Sequence, residues 1–183
     1  MTDDRQVEDA QWLPFSRSNM AAVLDIPLAR LNNWLDRNRL WQTERGPNFH
    51  RSYALREVFD IGGFAAMRLA KIPETHCARY VYSFGFIGAF WHNDQQVVNF
   101  DFRKDGWSFG SHNLHALLVI TINVRTLGEE IFRKLSELTS EQPDKWPKDA
   151  FESFRLLYIK AVELGCLWPG TAPIFETASE LTT

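Results

Sequence analysis

Residues 16–37 read SRSNMAAVLDIPLARLNNWLDR. Ser16, Ser18 and Asn19 are candidate N-caps for a short helix over residues 20–24, because their side-chain oxygens can accept the unpaired N–H groups of a first turn. Asp25-Ile26-Pro27 interrupts that helix, and proline suits the first position of a new one. Over residues 27–37 the apolar Leu28, Leu31, Trp34 and Leu35 recur at i, i+3, i+4 spacing, the stripe of an amphipathic helix. Asn38 suits a left-handed C-cap. The segment therefore predicts two short helices joined by a three-residue turn.

The flanking chain extends this reading. Gly46, Pro47 and Asn48 place a turn between two extended pieces over residues 40–53, a small hairpin. Residues 54–69 are helical again, Lys71-Ile72-Pro73 stops that helix, and Glu74 begins another that reaches Tyr82 or beyond. Helix, turn, helix, hairpin, helix is the order of a winged helix-turn-helix. In such a module the second helix locks an apolar stripe onto the first and turns polar side chains outward to double-stranded DNA. Leu28, Leu31 and Leu35 are expected to face in, and Ala29, Arg30, Asn32 and Asn33 to face out, with Arg37 at the end of the helix. Asparagine can read adenine bidentately and arginine can read guanine, and either can hold phosphate. The hairpin would carry Arg45, His50 and Arg51 beside the DNA backbone. Tyr53 would pack its ring beneath the hairpin, as core before contact, and offer its hydroxyl to phosphate. Arg17 or Ser18, at the start of the first helix, would add a phosphate contact.

These details resemble the DNA-binding domain of the mercury-resistance regulator (MerR) family over roughly residues 16–82. Leu31 and Trp34 lie on the second helix, Asn38 and Leu40 follow it, and Arg51-Ser52-Tyr53 runs directly into a long helix. The arginine-x-tyrosine element is the most specific part. The resemblance implies a sequence-specific transcriptional regulator that binds two half-sites as a homodimer. It also implies a long coiled-coil dimerisation helix, whose heptads Pro73, Gly85 and Gly88 would break here.

Charge follows the same division. The 183 residues carry a formal net charge of -3. Residues 14–80 hold nine arginines and one lysine against six acids, whereas residues 81–183 hold nine bases against thirteen acids. Arginine is favoured where planar contacts to phosphate or base edges are made. With 45% hydrophobic, 23% charged and 14% aromatic residues the composition is that of a folded globular chain, not a disordered one. The longest apolar run, residues 116–122, is broken by Thr121 and is far shorter than the ~20 residues of a membrane-spanning helix. The acidic Met1-Thr2-Asp3-Asp4 start gives the expectation of no targeting peptide. Two cysteines make no disulfide framework, so a cytoplasmic location is expected.

Beyond residue 82 the pattern changes. Residues 96–103 alternate apolar and polar, Lys104-Asp105-Gly106 is a hairpin turn, Trp107 to Phe109 returns, and residues 116–124 form a β-branched run. Residues 125–138 and 149–164 are amphipathic helices, the second capped by Gly165. The expected fold is mainly α with small β parts. An acidic arm (1–13) would precede a winged helix-turn-helix (14–73), a small α+β domain for dimerisation or sensing (74–168) and a loose tail (169–183).

Other chemistry is weaker. His92, His112, His115 and Asp94 could hold zinc, but they follow no recognised ligand spacing and fall where turns are expected. Cys77 reads as a buried thiol, and Gly62, Gly63, Gly85 and Gly88 as sites of close helix packing. No phosphate-binding loop or nucleophile with a base is evident, so no cofactor, no metal and no enzyme activity are expected. Tyr80, Tyr82, Phe84, Phe86, Phe90 and Trp91 read as core between the two halves. The alternatives are a pocket for a small apolar effector or a ring-rich subunit interface, and the C-terminal domain could also receive a protein partner. An excisionase-like DNA-bending protein and a protein-interaction module remain the other functional readings.

Overall fold

A computed structural model describes residues 12–37, 52–92, 97–101, 106–109 and 119–177. Helix α1 (Arg17–Val23) is capped by Ser16, whose hydroxyl accepts the Asn19 N–H at 3.1 Å. It ends on Asp25, which has a left-handed φ of 51°. There the Asp25 N–H bonds to the Ala22 carbonyl and the Ile26 N–H to the Ala21 carbonyl, at 3.3 and 2.9 Å. Those two bonds form a Schellman motif, which turns the chain sharply while satisfying the last carbonyls. Helix α2 (Leu28–Arg37) follows at once, and the Pro27 carbonyl accepts the N–H groups of Arg30 and Leu31.

The chain re-enters beside its own start. Phe15 and Tyr53 form an antiparallel bridge, with N–H to carbonyl distances of 2.7 and 3.0 Å in the two directions. Helix α3 (Leu55–Leu69) begins two residues later, with the Glu57 carboxylate reaching back to the Ala54 N–H at 2.8 Å, half of a capping box. It ends in a second Schellman motif at Lys71, with φ of 63° and the Ile72 N–H on the Met67 carbonyl. Ile72 and Met67 are both buried, the apolar pair that accompanies this turn.

Helix α4 (Glu74–Phe84) and the short α5 (Phe86–Trp91) are separated by Gly85, whose φ of 70° makes the break between them. The expectation of close packing therefore fails at Gly85, which is a turn, and at Gly88, where a Cβ would meet open space. It holds on α3, where a Cβ on Gly63 would lie 2.5 Å from the Phe86 ring and one on Gly62 2.8 Å from Leu127. Asp60 is buried on the same helix and accepts the Phe86 N–H at 3.0 Å.

Strands β1 (Val97–Asp101), β2 (Gly106–Phe109) and β3 (Val119–Asn123) form an antiparallel sheet in the order β2-β1-β3. Val98 stands opposite Ile122, and Asn99 opposite Thr121, whose hydroxyl donates to the Asn99 side chain at 2.8 Å. Asn123 ends β3 and caps α6 (Val124–Glu141) by accepting the Thr126 N–H. A 3-10 turn (Pro143–Lys145) leads to α7 (Ala150–Glu163). This helix closes in a third Schellman motif at Gly165, and α8 (Pro173–Thr177) follows.

The buried side chains make one continuous core from Phe15 to Phe175. Rings run through it in series, Phe59 to Phe90 at 4.8 Å, Phe90 to Phe132 at 5.9 Å, Phe132 to Tyr158 at 6.2 Å and Tyr158 to Phe175 at 5.9 Å. The boundary expected at residue 73 is therefore crossed by packing. Asn19 on α1 donates to the Lys145 carbonyl at 3.0 Å, and Phe15 sits edge-on to Trp146. Residues 169–177, expected to be loose, are instead docked. Phe175 is fully buried, and the Glu176 carboxylate accepts both the Tyr158 hydroxyl and the Gly170 N–H. The Tyr158 phenol is pushed up to about 12, first by burial and then by that carboxylate. No helix among the described residues is long and apolar enough to cross a membrane.

Candidate nucleic-acid interface

Helix α2 has a locked face and an open face. Leu31 and Leu35 are buried, and the half-buried Trp34 rests edge-on against Phe64 of α3 at 5.1 Å. Leu28, expected to face inward, is 44% exposed, because it opens the helix where none of the described elements covers it. Opposite this anchor, Arg30, Asn33 and Arg37 are exposed at spacings of three and four residues, which places them on one stripe. Their side chains make no hydrogen bond or ion pair with other described residues. Ala29 is exposed beside them.

The other flank of α2 is engaged internally. Arg17 Nη1 donates to Asn32 Oδ1 at 3.2 Å and to Asp36 Oδ1 at 3.0 Å, and the Tyr53 phenol also favours its charge. Burial opposes the Arg17 charge, but Tyr53 and Asp36 outweigh it and hold the guanidinium above its ordinary value. Asn32, expected to face outward, is therefore half-buried and partnered, and Arg17, expected on phosphate, is the residue that partners it. Asp36 completes this network, a role that a search for DNA contacts does not reveal. Its position four residues after Asn32 is the available signal, since i and i+4 share a helix face. Tyr53 is core, 2% exposed. Ser18 is exposed at the start of α1 and shares a hydrogen bond of 2.8 Å with Ser16. Asn38, Arg45, His50, Arg51 and the expected hairpin lie outside the described residues.

The remaining candidates are brought together less. His92 is exposed, whereas Asp94, His112 and His115 lie outside the described residues. Among the described residues, no three of His, Cys, Asp and Glu are grouped as metal ligands. Cys77 and Cys166 are buried thiols, and burial pushes Cys77 up to about 11 and raises Cys166 as well. A thiol so raised is a poor nucleophile at neutral pH. Phe86 and Phe90 are core and Trp91 is half-buried, while the side chains of Tyr80, Tyr82 and Phe84 are outside the description. Comparison with family models, with curated proteins and with solved structures finds no match to this chain.

Proposed function

We propose that this chain is a sequence-specific DNA-binding regulator whose α1–turn–α2 unit is the helix-turn-helix of a winged, MerR-like module. The observation that carries the reading is the stripe of Arg30, Asn33 and Arg37, exposed along a helix whose opposite face is anchored by Leu31 and Leu35. Two guanidinium groups flanking an amide suit a helix lying in a major groove, where the amide reads an adenine edge and the cations hold phosphates or guanine. The Arg17 bonds to Asn32 and Asp36 support it by tying α2 to α1 at a set angle. A homodimer is the proposed binding form, because one small module covers little DNA and a pair reads two half-sites. Leu164 and Trp168 are 47% and 62% exposed apolar side chains on the C-terminal half that a second copy would cover.

Fluorescence anisotropy of a labelled random duplex, read across a salt series, tests the reading. Affinity should fall linearly on logarithmic axes, with a slope of about 0.9 per phosphate neutralised. Selection from a randomised duplex pool should then return a motif with two-fold symmetry. A folded protein that leaves the duplex free at low salt overturns the proposal.

A further inference from the structure

The stripe of α2 is left cationic by the contacts around it. The one carboxylate of the helix, Asp36, is held in an ion pair with Arg17 at 3.0 Å. Arg30 and Arg37 are exposed, and neither makes a hydrogen bond or ion pair with another described residue. They stand about 10 Å apart along the helix, at ~1.5 Å of rise per residue.

The chain enters beside this face. Arg17 bonds Asn32 and Asp36, each one helix position, about 100°, from Asn33 and Arg37. Phe15 is pinned to Tyr53, and Trp12 is 63% exposed, so the chain meets solvent five residues before Arg17. Residues 1–11, outside the described residues, carry four acids, Asp3, Asp4, Glu8 and Asp9, against the single base Arg5. Glu8 precedes Arg17 by nine residues, a contour of about 30 Å that reaches either arginine of the stripe. Asp4 and Glu8 are ~13 Å apart on an extended chain, close to the separation of Arg30 and Arg37. A segment already tethered beside its target meets it at an effective concentration in the millimolar range, so weak pairing is enough to hold it.

We propose that the acidic segment 1–11 docks on the α2 stripe, its two acid pairs on Arg30 and Arg37, and competes there with the phosphates of a duplex. Exposed ion pairs are individually weak, so the segment restrains DNA binding by a few-fold and does not abolish it. Salt screens the same pairs and lifts the restraint. The competition rests on the DNA-binding reading, whereas the docking itself does not.

The full chain is compared with a segment variant carrying Asp3→Asn, Asp4→Asn, Glu8→Gln and Asp9→Asn. A control carries Glu141→Gln, Asp144→Asn, Asp149→Asn and Glu163→Gln, four exposed acids of the C-terminal half, and makes the same change in net charge. Heteronuclear NMR of the free proteins reads the Arg30 and Arg37 Nε–Hε signals, and fluorescence anisotropy reads affinity for a random duplex at low and high salt. The segment variant should shift both arginine signals. It should also bind duplex about two- to tenfold more tightly than the control at low salt, with the gap closing at high salt. Arginine signals that stay in place overturn the docking, as does an equal shift in the control. Shifted signals with equal duplex affinity in variant and control overturn the competition and keep the docking. Shifted signals in proteins that never bind duplex overturn the DNA reading and keep the docking.

Discussion

Arg17 and Asn32 are hydrogen-bonded across the turn that joins α1 to α2, with Nη1 3.2 Å from Oδ1. The contact decides how the two neighbouring asparagines of α2 are used. Asn32 spends its acceptor inside the protein, while Asn33, 100° further round the helix, is exposed. On the proposed DNA-binding reading, base contact by α2 is thereby narrowed to one amide between Arg30 and Arg37.

The two asparagines should accordingly separate in a competition assay. Asn33→Ala should bring affinity for a selected site closer to that for scrambled duplex, by the ~1–3 kcal/mol of one bidentate base contact. Asn32→Ala should leave that ratio near its original value and lower thermal stability slightly, since a surface-exposed Arg17 network contributes about 1 kcal/mol or less. The reverse pattern would place Asn32 on the bases.

Where the arginines of the stripe hold phosphate, they should act without regard to sequence. Arg30→Gln and Arg37→Gln should each weaken selected and scrambled duplex alike. Each should also reduce the salt slope by roughly one unit per lost phosphate contact. Anisotropy titrations at several salt concentrations check this, and a slope unchanged in both variants puts α2 off the DNA.

Periodicity makes much of this architecture legible. The stripes of α2, α6 and α7 follow from the 3.6-residue repeat, because burial of one face imposes it, whereas α3 is buried all round from Val58 to Phe64 and β1 buries Asn99 beside Val98. What escapes is set by contacts between distant segments. Leu28 fits the α2 stripe by spacing, yet among the described residues no element lies over the first turn of the helix. Phe175 sits in a stretch too short to show a period, and only the ring of Tyr158 and the turn at Gly170 explain why it docks. The left-handed positions divide in the same way. Gly165 announces a helix end by its identity, whereas Asp25 and Lys71 adopt the same turn with ordinary side chains. The stripe of Arg30, Asn33 and Arg37 is legible from spacing alone, but the withdrawal of Asn32 depends on Arg17, fifteen residues earlier.

Lys71 offers a direct test of that turn. A left-handed backbone brings Cβ close to the following carbonyl oxygen, at about 1–2 kcal/mol for an ordinary residue. Lys71 is exposed and sits between buried Ile72 and the last carbonyls of α3. Lys71→Gly should remove the steric cost while adding chain entropy to the unfolded state, for a net gain of roughly 0.5–1 kcal/mol. Chemical denaturation should show a higher midpoint at unchanged slope. A lower midpoint would mean that the Schellman turn at the end of α3 is not formed in solution.

Asp60 makes stability depend on pH in an unusual direction. Burial on α3 is the main influence and pushes its carboxyl up to about 6, from 3.8 in the open chain. The Phe86 N–H and the charge of Arg56 pull the other way, and Glu57 adds to the rise. The folded state therefore holds a proton that the unfolded state has already released between about pH 4 and 6. Stability is greatest below that window, declines as pH rises through it, and is flat above. The shift of about two pH units corresponds to a loss on the order of 3 kcal/mol at neutral pH. Asp60→Asn keeps an oxygen for the Phe86 N–H and removes the buried charge. The variant should match the original protein near pH 4 and exceed it by ~2–3 kcal/mol above pH 7. Urea denaturation of both proteins from pH 4 to 8 measures the gap. Two curves that stay parallel across the range would show that the Asp60 carboxylate is solvated in the folded protein.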